Sequence, residues 1–146
     1  MVSVSEHLKG RHFTRVADWS ADELRAVLEL ADELKAAQRR REEHHLLPGR
    51  TLGMIFQKPS TRTRVSFEVG IAQLGGTGLY LAAGDLQLGR GETIRDTAIV
   101  LSRYLDAIVI RTFAQADVEE LARNAAIPVI NGLTDSTHPC QALADV

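Results

Sequence analysis

Directly behind an apolar run, Thr51 to Phe56, the chain places three hydroxyls and two guanidiniums in five residues, Ser60-Thr61-Arg62-Thr63-Arg64. That combination suits a phosphate. Pro59 cannot continue a strand ladder, Ser60 can cap a helix, and the residues after it present backbone N–H groups at that helix's positive end. Arg62 and Arg64 add full charges, and a planar guanidinium fork matches two phosphate oxygens at once. Arg62 can equally be read as an exposed helix arginine. Arg64 points elsewhere on a helix and suits a structural ion pair as well as a substrate contact. Further along, Arg111 stands directly after the apolar run Ala107 to Ile110, either as a strand leaving the core or as a ligand-binding strand end. His138 and Gln141 lie one helical turn apart and share a face. By itself His138 reads as a hydrogen-bonded structural histidine or as a catalytic one. Cys140 reads as a small buried residue with no base nearby to activate it.

These residues need elements to bring them together. Ser20-Ala21-Asp22-Glu23 has capping-box form, and Leu24, Val27, Leu28, Ala31 and Leu34 then recur on one helical face, so a helix runs from about Ala21 into the high thirties. Its basic end, Arg39-Arg40-Arg41, is followed at once by Glu42-Glu43 and reads as a solvated helix C-terminus. From Thr51 the texture changes. Thr51 to Phe56, Gly78 to Ala82, Ala107 to Ile110 and Ile127 to Ile130 look like buried strands. Between them lie helix candidates at Thr61 to Leu74, closed by Gly75-Gly76, at Thr93 to Tyr104 and at Asp117 to Asn124. This alternation predicts a three-layer α/β sandwich, with a four-stranded parallel sheet flanked by helices and joined by right-handed crossovers. Ligands bind such sheets at the carboxyl ends of the strands. Ser60, Arg111 and the segment Asn131 to His138 should therefore converge on one rim. The last residues, from His138-Pro139, begin like a helix with Pro139 near its first turn and stop after about two turns. We expect the rest of such a protein to lie beyond Val146.

Composition narrows the function classes. The 146 residues suit one domain with a real core, and a net charge of -2 supplies no broad field for nucleic acid or an acidic membrane. A single cysteine excludes an intrachain disulfide, leaves no thiol cluster for zinc and agrees with a reducing, cytoplasmic setting. The amino terminus has neither a basic region leading into an apolar run nor a membrane-length segment. Neither Gly-x-Gly-x-x-Gly nor a Gly-Lys-Ser/Thr loop follows the first strand, which disfavours a nucleotide-binding domain.

Four blocks in order carry a resemblance: Phe56-Gln57-Lys58-Pro59-Ser60-Thr61-Arg62-Thr63-Arg64-Val65-Ser66-Phe67-Glu68; Leu86-Gln87-Leu88-Gly89-Arg90-Gly91-Glu92-Thr93; Asp106-Ala107-Ile108-Val109-Ile110-Arg111-Thr112-Phe113; and His138-Pro139-Cys140-Gln141. The chain resembles, over essentially its whole length, the amino-terminal, carbamoyl-phosphate-binding domain of the aspartate/ornithine transcarbamoylase family. The resemblance implies transfer of a carbamoyl group from carbamoyl phosphate to an amine, with no metal, cofactor or covalent nucleophile. It also implies the roles. Ser60, Thr61, Arg62 and Thr63 would cradle the phosphate, while Thr63, Arg111 and His138 would reach the carbonyl oxygen. Arg62, Arg111 and His138 would be the catalytic groups, Gln141 would orient the carbamoyl NH2, and Gln87 would enter a neighbouring subunit's site. From the residues alone, the loop Ala83 to Glu92 that holds Gln87 reads as a flexible connection or as a lid.

Gln87-Leu88-Gly89-Arg90-Gly91-Glu92, Arg111-Thr112-Phe113 and Leu8-Lys9-Gly10-Arg11-His12-Phe13 look like the ornithine type, which makes citrulline and phosphate in arginine biosynthesis. Gly91 departs from members that carry a lysine there. The family acts as trimers, and its acceptor-binding second domain is absent from this sequence. The alternatives are an aspartate or other amine-specific transcarbamoylase, and a non-catalytic phosphate- or carbamoyl-phosphate-binding module.

Overall fold

The computed structural model describes residues 6–82 and 91–146. Its elements run α1 (Ala21–Arg39), β1 (Thr51–Phe56), α2 (Thr61–Gln73), β2 (Thr77–Ala82), α3 (Ile94–Ser102), β3 (Ala107–Arg111), α4 (Gln115–Asn124), β4 (Val129–Leu133) and α5 (Pro139–Ala144), with short 3-10 turns at Glu6–Leu8 and Val16–Asp18. The strands form one four-stranded sheet in the order β2-β1-β3-β4, and every pair is parallel. Chain order reverses between β1 and β3. In doubly wound sheets that reversal opens a crevice at the carboxyl ends of the two central strands, where the helices that follow them depart to opposite faces.

Two apolar layers hold the sheet. Leu52, Met54, Phe56, Ile71 and Val109 pack on the α2 face. Ile55, Ala98, Leu105, Ile108, Ile110, Val118, Leu121 and Val129 pack on the face of α3 and α4. Because side chains alternate along a strand, Met54 and Ile55 serve opposite layers, and a strand buried on both faces needs an unbroken apolar run. β1 and β3 meet that requirement, and Met54, Ile108 and Val109 are wholly buried. Among the described residues no helix is long and apolar enough to cross a membrane.

The capping box at Ser20 is present in both directions: the Glu23 amide donates to Ser20 Oγ at 3.1 Å, and the Ser20 amide donates to Glu23 Oε2 at 2.8 Å. Leu24, Val27, Leu28 and Leu34 lie only half-buried, and no residue of α1 is fully buried. Arg40 closes a two-bonded pair with Glu42 at 2.7 and 3.0 Å, as suits a solvated helix end.

β1 has the expected bounds, whereas β4 lies further along than expected. It begins at Val129, because Pro128 has no N–H to donate, and continues through Asn131 and Gly132 to Leu133. Asn131 is therefore inside the strand and wholly buried, where the sequence pattern places it in the following loop. Ile110 pairs with Asn131 while Arg111 pairs with Leu133, so Gly132 is the extra residue of a β-bulge. A Cβ on Gly132 would come within 3.1 Å of Val109 Cγ1 and 3.2 Å of the Ile110 carbonyl, a fit that favours glycine. Asn131 Oδ1 accepts the Leu133 amide at 2.9 Å, a bond the interrupted ladder leaves to a side chain. Elsewhere β2 begins at Thr77, α3 at Ile94 behind an N-cap at Thr93, and α4 at Gln115, two residues ahead of the expected Asp117.

Candidate functional site

Ser60 is the N-cap of α2, extended at φ −159° and ψ 111°, and its hydroxyl accepts the Thr63 amide at 3.4 Å. The same oxygen lies 3.1 Å from Thr63 Oγ1. No acidic residue stands in the first turn of α2, so its own first turn leaves its positive end open to an anion. Thr61 and Arg62 are exposed there, and the Arg62 guanidinium has no acidic partner among the described residues. Arg64 turns away. Its Nε sits 3.5 Å from Glu68 Oε2 and its guanidinium carbon 3.7 Å from the Tyr80 ring centroid, which favours the structural reading of this arginine.

Arg111 is the last residue of β3, opposite Phe56 on one side and Leu133 on the other. Its carbonyl accepts the Gln57 amide at 2.9 Å, and Gln57 Oε1 accepts the buried Thr112 hydroxyl. These bonds tie the loop leading to Ser60 to the end of β3. His138 arrives from the other side, at the N-cap of α5 directly after the loop that leaves β4. Arg111 Nε and His138 Nδ1 are both buried, and neither has a hydrogen-bond partner among the described residues. Burial lowers the His138 pKa below its ordinary value, the nearby Arg111 charge lowers it further, and Asp145 acts weakly the other way. Burial and the Arg111 charge thus both oppose protonation of the imidazole.

A buried donor left unpaired costs about 1–3 kcal/mol, and native structures keep such groups chiefly where something else completes them. An acceptor oxygen at the rim would satisfy Arg111 Nε, and His138 in the tautomer that carries its proton on Nδ1. The crevice therefore offers two kinds of donor: backbone amides at a helix start, suited to an oxyanion, and two buried side-chain nitrogens suited to a polarised oxygen.

Gln141 shares this end of α5 but is exposed, and its Nε2 donates to Asp145 Oδ1 at 2.8 Å. Its acceptor oxygen makes no bond to a described residue. Gln87, with most of the loop Ala83 to Glu92, lies outside the described residues. Burial pushes the Cys140 thiol up to about 11, and its sulfur lies 3.7 Å from the Asn131 carbonyl, in keeping with a packing role. Among the described residues, no three His, Cys, Asp or Glu side chains group as ligands for a metal.

The rim also holds residues without a sequence-based role. Lys58 Nζ lies 2.5 Å from Asp135 Oδ1 and 4.5 Å from the Phe113 ring centroid, bridging the loops after β1, β3 and β4. Lys58 falls within the first of the four blocks, but its partner is 77 positions away and no local pattern marks the pair.

A family model described as aspartate/ornithine carbamoyltransferase, carbamoyl-P binding domain, matches residues 11–146. The chain is 62% identical over 141 residues to the ornithine carbamoyltransferase of Oceanobacillus iheyensis, covering 97% of this chain and 44% of that protein. The ornithine carbamoyltransferase structure from Pyrococcus furiosus superimposes with a TM-score of 0.92 at 60% identity, over 94% of this chain and 44% of that one. An aspartate transcarbamoylase structure from Trypanosoma cruzi, in complex with carbamoyl phosphate and aspartate, matches with a TM-score of 0.90 at 30% identity, over 99% of this chain and 48% of that one. The chain thus spans about half the length of the relatives it matches. With the fold and the family model in agreement over residues 11–146, the chain belongs to the carbamoyl-phosphate-binding domain family of the aspartate/ornithine carbamoyltransferases.

Proposed function

We propose that this chain is the carbamoyl-phosphate-binding half of an ornithine carbamoyltransferase. The observation that carries the reading is the pair of buried nitrogens, Arg111 Nε and His138 Nδ1, without a partner among the described residues, at the same rim as the start of α2, whose first turn holds no acid. Carbamoyl phosphate has the matching parts, a phosphate dianion joined to a carbonyl group. The Thr61 to Thr63 amides, the Ser60 and Thr63 hydroxyls and the Arg62 guanidinium take the phosphate. Arg111, His138 and Thr63 take the carbonyl oxygen, and the Gln141 acceptor oxygen orients the carbamoyl NH2.

Chemistry then needs little more than stabilised charge. The δ-amine of ornithine attacks the carbonyl carbon, and the C=O electron pair moves onto oxygen, where Arg111 and His138 donate to the developing oxyanion. Collapse of that intermediate breaks the carbon–oxygen bond to phosphate, and the phosphate leaves into the α2 site carrying off the proton that the nitrogen gives up. Ornithine is preferred to aspartate because identity runs from 39% to 63% against ornithine carbamoyltransferases and is 30% against the aspartate enzyme. A second, ornithine-binding domain, Gln87 entering a neighbouring subunit's site, a trimeric cytoplasmic parent and a place in arginine biosynthesis belong to the same proposal.

The experiment is a calorimetric titration with carbamoyl phosphate, paired with a citrulline assay of the chain alone and after mixing with the carboxy-terminal half of a relative. The reading expects saturable donor binding, little turnover alone, and turnover restored by the mixture. Absence of donor binding refutes the site. Near-normal turnover by the chain alone refutes its being half of an enzyme, and binding without restored turnover leaves a binding module.

A further inference from the structure

Three side chains behind the rim, Asn131, Gln115 and Thr134, bond to one another and to the backbone around them. Asn131, wholly buried in the β4 bulge, donates through Nδ2 to the Thr14 carbonyl at 3.1 Å and to Gln115 Oε1 at 3.2 Å, while its Oδ1 holds the Leu133 amide. Gln115, at the start of α4, donates through Nε2 to the Thr14 carbonyl at 3.3 Å. Its Oε1 accepts a second bond, from the Thr134 hydroxyl at 2.8 Å. The Thr134 hydroxyl in turn accepts the Thr137 amide at 3.2 Å, and the Thr134 amide donates to the Thr137 carbonyl at 2.9 Å. A four-residue turn is thus closed at both ends, and the residue that leaves it is His138.

We propose that Gln115 is a positioning residue for His138: through Thr134 it fixes the turn that aims the imidazole into the crevice, and through Asn131 it fixes the bulge that sets Arg111 opposite Leu133. Gln115 reaches neither the phosphate nor the carbonyl oxygen in this reading, so it acts only through those two groups. The hydroxyl of Thr134 has one proton and two acceptors in range, Gln115 Oε1 at 2.8 Å and the Thr137 carbonyl at 3.3 Å. Removing the Gln115 amide lets that proton swing to the turn's own carbonyl. The turn then stays closed but loses its anchor to α4. The phosphate cradle lies on the other side of the crevice, held by the α2 cap and by Gln57; its tie to the turn is the Lys58–Asp135 ion pair, which uses neither Gln115 nor Thr134 and is left in place by these substitutions.

The inference rests on the carbamoyl-phosphate reading, and its test separates the two. Gln115→Ala, Thr134→Val and Thr134→Ser are made in the 146-residue chain and titrated calorimetrically with inorganic phosphate and with carbamoyl phosphate. The His138 imidazole is followed across pH by long-range proton–nitrogen correlation, with His138→Asn assigning its signals. In Gln115→Ala and Thr134→Val, carbamoyl phosphate should bind about tenfold more weakly, the scale of a lost well-placed hydrogen bond, while phosphate changes less than about twofold. The His138 titration should move up toward its ordinary value as the turn loosens and hydrates, and Thr134→Ser should restore the parent behaviour. Equal weakening of both ligands, or an unchanged His138 titration together with unchanged donor affinity, overturns the proposal. If Gln115→Ala does not fold, the comparison of Thr134→Val with Thr134→Ser decides. A parent chain that fails to bind carbamoyl phosphate refutes the donor reading instead, and the His138 titration still shows whether Gln115 sets that imidazole's surroundings.

Discussion

Replacing Arg111 by methionine should make the free chain more stable and the liganded chain less so. Arg111 ends β3 with its Nε buried and without a partner among the described residues, beside a histidine whose protonation it opposes. An unmade buried hydrogen bond costs about 1–3 kcal/mol, and since the residue as a whole is only half-buried, the lower end applies. Methionine keeps most of the apolar stem that packs at the strand end, so little packing is lost in exchange. The net gain without ligand should be about 1 kcal/mol. With ligand the order reverses. In the proposed role, charge-assisted bonds from Arg111 to the donor would be worth about 1.5–3 kcal/mol, which is roughly ten- to hundredfold in affinity. At a ligand concentration about one hundred times the parent's Kd, binding adds about 2.7 kcal/mol to the parent and well under 1 kcal/mol to a variant that binds a hundredfold more weakly. The assay is urea unfolding at 25 °C followed by circular dichroism, for both proteins, with and without carbamoyl phosphate. The two stability curves should cross as ligand is added. A variant that is less stable than the parent without ligand, yet gains as much from it, refutes the claim that this guanidinium is held unpaired for a substrate.

The cap of α2 separates fold from binding. Ser60→Ala should cost about 1 kcal/mol in urea unfolding, whereas Ser60→Asp should retain that stability by keeping a cap acceptor yet lose phosphate binding in calorimetry, because it sets a negative charge where the anion sits. Acid should weaken the fold in a defined window. The folded pKa values of His138 and of His12, whose Nδ1 accepts the Val129 amide at 3.0 Å, both lie below their ordinary 6.5, burial being the largest cause in each. The unfolded chain then binds more protons below pH 6.5, so stability is complete above that value and falls as pH drops through the folded pKa values. Urea midpoints measured between pH 7.5 and 5 should decline and flatten in the double variant His12→Asn, His138→Asn; an undiminished slope there assigns the acid loss to other groups.

The two halves of the crevice differ in how much of each can be read from sequence, for a physical reason. A helix N-terminus binds an anion with backbone amides, so its parts are contiguous: Pro59 ends the strand, Ser60 caps, and Thr61 to Thr63 supply the N–H groups. β1 was bounded correctly for the same reason, since an unbroken apolar run between Arg50 and Gln57 is a local pattern. The carbonyl side depends instead on register. Asn131-Gly132 has the local form of a turn and is in fact a bulge, because β3 lies alongside it and Asn131 turns its side chain onto the Leu133 amide. No window of sequence holds that information, because the residues that decide it are Ile110, Gln115 and Thr14, the last 117 positions from Asn131. Lys58 with Asp135 and Gln57 with Thr112 are hidden in the same way, at separations of 77 and 55. Such partners contribute only once the sheet has closed, so mutations at Asn131, Gln115 or Thr134 should lower cooperativity between β4 and the rest of the sheet, whereas changes at Ser60 act on α2 alone. In the proposed site the motif residues would take the donor, and the residues behind them, which carry no motif, would set where the Arg111 and His138 nitrogens point.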